Sequence, residues 1–212
     1  MIQGIVGNLS AGKTLTLAEL GAFIKLSIPQ ATIYSNFHLA YPHKLVRSFD
    51  DFKEMKNGVL LADELWSWLD SYKSMDKSAQ LICQLLLASA KRGISIAWSA
   101  QDSRQIHPRI YRVTSEFLMP RLHYLKDKSG NLITDKFGKP TPEICQVFMA
   151  DCFLRPFASY SFICSKVFPL YNTREEIPPL EGLDQFKAVR AIKEFNAVKK
   201  AGELGIDLAK FS

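Results

Sequence analysis

The sequence has no cysteine pair at CxxC spacing and no histidine at metal-ligand spacing from a cysteine. Cys83, Cys145, Cys152 and Cys164 are therefore read as free thiols of a reducing compartment, not as a zinc site. The four histidines, His38, His43, His107 and His123, are too scattered for a catalytic triad or a metal cluster. The opening stretch MIQGIVGNLS is too short an apolar run for a signal peptide and carries no basic lead. No apolar run is long enough to span a bilayer: Leu81 to Ala90 is short, and Arg155 interrupts the stretch from Phe153 to Phe168. No internal repeat or low-complexity tract stands out. These absences lead to the expectation of a soluble intracellular protein.

A chain of 212 residues is long enough for one sizeable core and short for two independent domains. With 47% apolar residues and both charge signs well represented, the composition is globular. The net charge of +6 suits a polyanionic partner, although many ordinary enzymes share such an excess.

Strand-like and helix-like stretches alternate along the first half. IQGIV (2–6) is a short apolar run, and LTLAELGAFIKL follows with Leu17, Leu20, Phe23 and Ile24 at helical spacing. ATIYSNF (31–37) reads as a strand, SFDDFKEMKN (48–57) as a short helix and GVLLADEL (58–65) as an apolar strand ending in two carboxylates. SAQLICQLLLASAKRG (78–93) reads as a helix stopped by Gly93, and ISIAWSAQ (94–101) as a buried strand. This alternation predicts an α/β fold with a mostly parallel sheet covered on both faces. The pattern then changes. Residues 117–153 read as added antiparallel strands around a Ser-Gly-Asn turn and a Gly/Pro-rich loop, a hairpin insertion. SYSFICSKVFPLYNT (159–173) reads as a last strand. After Pro178 and Pro179, residues 184–202 form an amphipathic pattern with Phe186, Val189, Ile192 and Phe195 on one face and basic residues on the other. The chain thus divides into a core of 1–175 and a helical extension of 176–212.

Residues 7–14, GNLSAGKT, match the spacing of a phosphate-cradling loop, and they join a predicted strand to a predicted helix. In such a loop Gly7, Asn8, Leu9, Ser10, Ala11 and Gly12 turn successive backbone amides inward, and the helix N-terminus adds partial positive charge. Lys13 would reach the β- and γ-phosphates, and the Thr14 hydroxyl would ligate Mg²⁺. ATP is thus the expected ligand. The strand VLLA delivers Asp63 to the carboxyl end of the sheet, where open α/β folds bind ligands. Asp63 would hold the Mg²⁺ through its water shell, and Glu64 would orient and deprotonate a water, which points to hydrolysis. An Asp-Glu pair opening a helix is the ordinary structural alternative. Ser99-Ala100-Gln101 ends the strand ISIAW, where Gln101 could sense the γ-phosphate or simply cap the strand.

These elements in this order, with IHPRIYRVTSEF downstream, resemble the FtsK–HerA superfamily of P-loop ATPases. YSNFHL and VFPLYNTREE are similar to its viral branch, which includes genome-packaging ATPases of membrane-containing icosahedral viruses and zonular-occludens-toxin-like assembly proteins of filamentous phages. The resemblance covers roughly residues 1–175. It implies a RecA-like fold, Gly7 to Thr14 as the Walker A loop, Asp63 and Glu64 as the Walker B pair, and Gln101 as the strand-end glutamine. It also implies a homo-oligomeric ring, commonly a hexamer, with double-stranded DNA in the pore, ATP between subunits and a neighbour's arginine on the γ-phosphate. Arg92 ranks first for that arginine, followed by Arg109 and Arg112, with Arg104 also nearby; each is equally read as a surface arginine. Packaging would place the protein in the host cytoplasm or at the packaging vertex of a virion, beside a capsid or internal-membrane protein. A phage assembly or secretion ATPase is the alternative, weighed down by the absence of a transmembrane segment. A nucleoside or nucleotide kinase and a non-catalytic nucleotide-binding scaffold are further alternatives. With the loop at residue 7, no domain is expected ahead of the core.

Other features have two readings each. Trp66 and Trp68 could stack on adenine or pack in the core. Lys126, Lys128, Lys136 and Lys139 around the predicted hairpin could track phosphates or form a solvated loop, diluted by Asp127 and Asp135. The basic helix 187–200 could contact DNA, a neighbour or a capsid protein, or merely pack with one wet face.

Overall fold

A computed structural model of the chain describes residues 1–67, 83–84, 86–102, 106–172 and 175. One eight-stranded sheet organises them, in the order β3-β2-β4-β5-β1-β6-β7-β8. The strands are β1 (Ile2–Val6), β2 (Thr32–Ser35), β3 (Lys44–Leu45), β4 (Gly58–Ala62), β5 (Ile94–Ala100), β6 (Glu116–Tyr124), β7 (Pro142–Asp151) and β8 (Pro156–Ile163). Strands β1 to β6 run parallel, and β7 and β8 continue the sheet antiparallel.

The apolar runs read from the sequence are buried on both faces, as a helix-covered parallel sheet requires. Successive side chains of a strand point to opposite faces, so Leu60, Ile96 and Trp98 enter one core and Leu61 and Ala97 the other. Helix α1 (Lys13–Ser27) covers the second face through Leu15, Leu17 and Ala18. The first face is covered by Phe52 of α2 (Phe49–Glu54), by Cys83 and Leu86 in helical backbone, and by Ile110 of α3 (Pro108–Val113). Ser48 starts α2 with a reciprocal capping box: its hydroxyl accepts from the Asp51 amide, and the Asp51 carboxylate accepts from the Ser48 amide.

Four details differ from the sequence reading. Phe23 is 62% exposed, because α1 seats a narrow stripe of small and aliphatic residues against the sheet and leaves Phe23 beyond its edge. The stretch 159–173 stays extended only to Ile163; Cys164–Val167 turn into a short helix, α4, and Phe168–Leu170 into a 3-10 turn. The helix read over 78–93 ends as a 3-10 turn at Ser89–Arg92, and its residues 78–82 and 85 lie outside the described residues. Within 117–153, β6 and β7 belong to the main sheet, and only residues 125–141 project from it. The amphipathic stretch 184–202 lies outside the described residues, as do Trp68, Arg104 and the Trp66 side chain. Among the described residues, no helix is long and apolar enough to cross a membrane.

Candidate active site

In the order β4-β5-β1, three neighbouring strands end at the same edge of the sheet. That edge receives the loop after β1, the carboxylates after β4 and Gln101 after β5, so the topology gathers three separate sequence features.

The loop passes from Gly7 to Gly12, which sits at φ +98 and starts α1. That left-handed backbone suits glycine, and a Cβ there would also meet the Leu122 side chain of β6 at 3.0 Å. No acidic residue lies in the first turn of α1, so the positive end of the helix dipole has no carboxylate on its own first turn. Lys13 is buried, and its Nζ donates to the Gly7 carbonyl at 3.0 Å and the Asn8 carbonyl at 2.9 Å. Burial lowers the Lys13 pKa, while the charges of Asp63 and Glu64 work against that shift.

Asp63 is 4% exposed and fully engaged. Its Oδ2 accepts from Thr14 Oγ1 at 2.6 Å, and its Oδ1 accepts from Ser99 Oγ. Its backbone is clamped by Asn36: Nδ2 donates to the Asp63 carbonyl and Oδ1 accepts from the Asp63 amide, both at 2.8 Å. The clamp is itself held. Arg47 Nη1 donates to the Asn36 carbonyl at 2.8 Å, and Arg47 Nη2 donates to Glu175 at 2.6 Å. Glu64 follows at φ +48, a left-handed conformation that costs a non-glycine residue about 1–2 kcal/mol. Its amide donates to Ser99 Oγ at 2.9 Å, so one hydroxyl ties the two consecutive acidic residues to the strand between the loop and the carboxylates. Burial raises the Glu64 pKa, the Asp63 charge adds to the rise, and Lys13 opposes it.

The Thr14–Asp63 contact tests the fit of a magnesium ion. A hydroxyl and a carboxylate oxygen already lie side by side, which is a hard-oxygen donor pair. No group of three or more His, Cys, Asp or Glu gathers among the described residues, so phosphate oxygens and waters would complete such a shell. Thr14 and Asp63 fit the ion of a metal–nucleotide complex.

Gln101 is exposed and borders a cleft of about 850 Å³ with Val6 to Ala11 of the loop, Asp102, and residues 119–122 and 124 of β6. The volume suits a nucleoside extending from phosphates on the loop. The arginines are placed differently. Among the described residues, no hydrogen bond joins Arg92, Arg109 or Arg112 to the loop, Asp63 or Glu64. Arg92 precedes β5 and so lies at the opposite edge of the sheet, where its Nη1 donates to the carbonyls of Phe52 and Lys53 in the last turn of α2. Arg109 and Arg112 are exposed on α3. His107 caps that helix by accepting from the Arg109 amide at 3.3 Å, and burial, with the nearby Arg109 charge, lowers its pKa.

Sequence reasoning missed the roles of Asn36 and Ser99. Their available signal was position: both are buried polar residues near the carboxyl ends of apolar strands.

The fold occurs in known proteins. The chain superimposes on the N-terminal domain of zonular occludens toxin from Neisseria meningitidis with a TM-score of 0.56 and 17% identity, covering 81% of this chain and 98% of that one. The genome packaging NTPase B204 from Sulfolobus turreted icosahedral virus 2, solved with ATP-gammaS, aligns with a TM-score of 0.46 and 12% identity over 76% of this chain and 95% of that one. No family model and no curated protein matches the sequence. The chain therefore has the RecA-like P-loop NTPase fold that its sequence resemblance implies.

Proposed function

We propose that the chain is a magnesium-dependent ATP hydrolase whose turnover moves DNA, packaging a double-stranded viral genome into a capsid. One connected group supports the hydrolase reading: Thr14 and Ser99 both donate to Asp63, and the Glu64 amide donates to the same Ser99 hydroxyl. In this reading a pair of oxygens suited to a metal and a second carboxylate lie next to a phosphate-cradling loop.

The residues have distinct tasks in this reading. The loop amides and Lys13 bind phosphate oxygens, and a phosphate competes for the protons that Lys13 gives to Gly7 and Asn8. Thr14 and Asp63 would hold Mg²⁺, which would supply positive charge to offset that of the phosphates. Glu64 accepts the proton of the attacking water, a role favoured by its raised pKa. Gln101, at the rim of the cleft, orients that water. A neighbouring subunit of a ring supplies an arginine. Arg109 and Arg112 now lead that choice, because they are exposed, whereas Arg92 already holds the end of α2.

The DNA part is supported by the sequence resemblance and the charge of +6. A second reading, an assembly or secretion ATPase, is favoured by the likeness to the zonular occludens toxin domain. Phosphate release measured with and without duplex DNA, over a range of protein concentration, separates them. DNA stimulation with a steep concentration dependence is the expected result. Turnover indifferent to DNA favours the second reading, and tight ATP binding with no phosphate release under any condition overturns the hydrolase.

A further inference from the structure

Residues 125–132 read LKDKSGNL and residues 133–140 read ITDKFGKP, with Asp, Lys and Gly at matching places. The structure shows that this is a true repeat, although no repeat was expected. Asp127 Oδ1 accepts from the amides of Ser129 and Asn131 at 2.8 and 2.9 Å, and Asp135 Oδ1 accepts from those of Phe137 and Lys139 at the same two distances. Gly130 and Gly138 follow at φ +84 and +76, and each amide returns to its aspartate carbonyl at 3.0 Å. The repeat boundaries are tied together at the base. Ile133 donates to Leu125, Thr141 to Ile133 and Leu125 to Thr141, a closed ring of three backbone hydrogen bonds.

The chemistry of these turns is lopsided. Each aspartate turns its carboxylate mainly to backbone amides, led by Asn131 for Asp127 and Lys139 for Asp135; these bonds lower both pKa values, helped by the Asn131 side chain at Asp127 and by the Lys139 and Lys136 charges at Asp135. Among the described residues, none of Lys126, Lys128, Lys136 and Lys139 forms an ion pair, and all four are exposed. Two equivalent turns thus present four spaced cations on one hydrogen-bonded base, with Lys128 and Lys136 at matching places. Cations spread over two turns suit an extended polyanion better than a compact anionic ligand. Flexible lysines act as point charges and read phosphates without reading sequence. The turns leave the carboxyl end of β6, which parallels β1, so they project from the sheet edge that carries the nucleotide loop. The same strand touches that loop, with Leu122 against Gly12.

We propose that the paired DKxG turns bind the phosphodiester backbone of DNA through Lys126, Lys128, Lys136 and Lys139. The choice of DNA among polyanions rests on the motor reading above; the site itself rests on the turns. The test uses the full chain, with all four lysines changed to glutamine, and a fluorescent DNA duplex titrated from about 50 to 200 mM salt. The expected result is a slope of log affinity against log salt that is shallower by about 3–4, with affinity at low salt weakened about 100-fold or more. A slope and affinity equal to wild type would overturn the site, and so would a wild-type chain that does not bind duplex. Phosphate release without DNA should be unchanged in the variant, since none of the four touches the nucleotide loop. It also reads the hydrolase assignment separately: a wild-type chain that binds duplex through these lysines yet releases no phosphate sinks the motor and keeps the site.

Discussion

Asn36→Ala tests whether the backbone clamp on Asp63 sets the carboxylates that the proposed hydrolase uses. Asn36 is 1% exposed and makes two hydrogen bonds of 2.8 Å to one residue. Truncation leaves the Asp63 amide and carbonyl without those partners in a buried position. Each buried polar group that loses its partner costs about 1–3 kcal/mol. Two such groups, each in the lower part of that range as the site relaxes around the smaller side chain, give an expected loss of about 2–4 kcal/mol, readable by urea denaturation. A domain stable by about 5–15 kcal/mol survives that loss folded. Turnover per folded molecule should fall about tenfold or more, because small displacements of catalytic groups are costly. ATP affinity measured without magnesium should stay within about threefold: the hydrogen bonds of Lys13 and Gly12 involve none of the Asn36 partners. The reasoning fails if stability changes by less than about 1 kcal/mol, or if kcat per folded molecule is unchanged. A parallel fall in ATP affinity would also refute it, since that places the damage in the loop.

Glu64→Gln should abolish most phosphate release, by about 100-fold or more, yet stabilise the fold at neutral pH. The sign follows from burial raising the Glu64 pKa: the folded state holds the proton more tightly, so stability falls as pH rises from the ordinary carboxylate range through the raised value. The neutral amide removes that cost, and denaturation midpoints of variant and wild type should converge as pH drops below this window; equal midpoints at neutral pH would contradict the assigned shift. Gly130→Ala and Gly138→Ala should each lose about 1 kcal/mol by urea denaturation, purely from the positive φ, because an added Cβ meets nothing within 4 Å at either position. Clearly unequal losses would show that the two turns are not equivalent.

What the sequence made legible was contiguous. GNLSAGKT spans eight positions and VLLADE six, so a spacing rule and an apolar run find them. The clamp and the bridge were not legible, because Asn36 lies 27 positions from Asp63 and Ser99 lies 36. Only the order β2-β4-β5 brings them together, and strand order leaves no local trace. Arg92 shows another limit of local reading. Its place before the glutamine strand made it the first choice for the trans arginine, and that same place puts it at the far edge of a parallel strand, on the carbonyls that end α2. Phe23 misled because helical spacing cannot say how wide the buried stripe is; here small residues such as Ala18 and Gly21 let α1 lie close to the sheet.

The position of β5 gives the site its logic. If β4 paired directly with β1, no intervening strand could contribute a side chain between Asp63 and the loop. With β5 between them, Ser99 can bridge Asp63 and the Glu64 amide while Thr14 reaches Asp63 from the helix. The unfavourable backbone of Glu64 is thereby supported by a hydrogen bond from its own amide to the neighbouring strand. Strain of this kind persists only where surrounding contacts over-determine the residue. Asn36, Ser99 and Thr14 supply that over-determination from three separate elements. Were the Thr14 contact given up to a bound metal, Asn36 and Ser99 would still hold Asp63, so the carboxylates would keep their geometry.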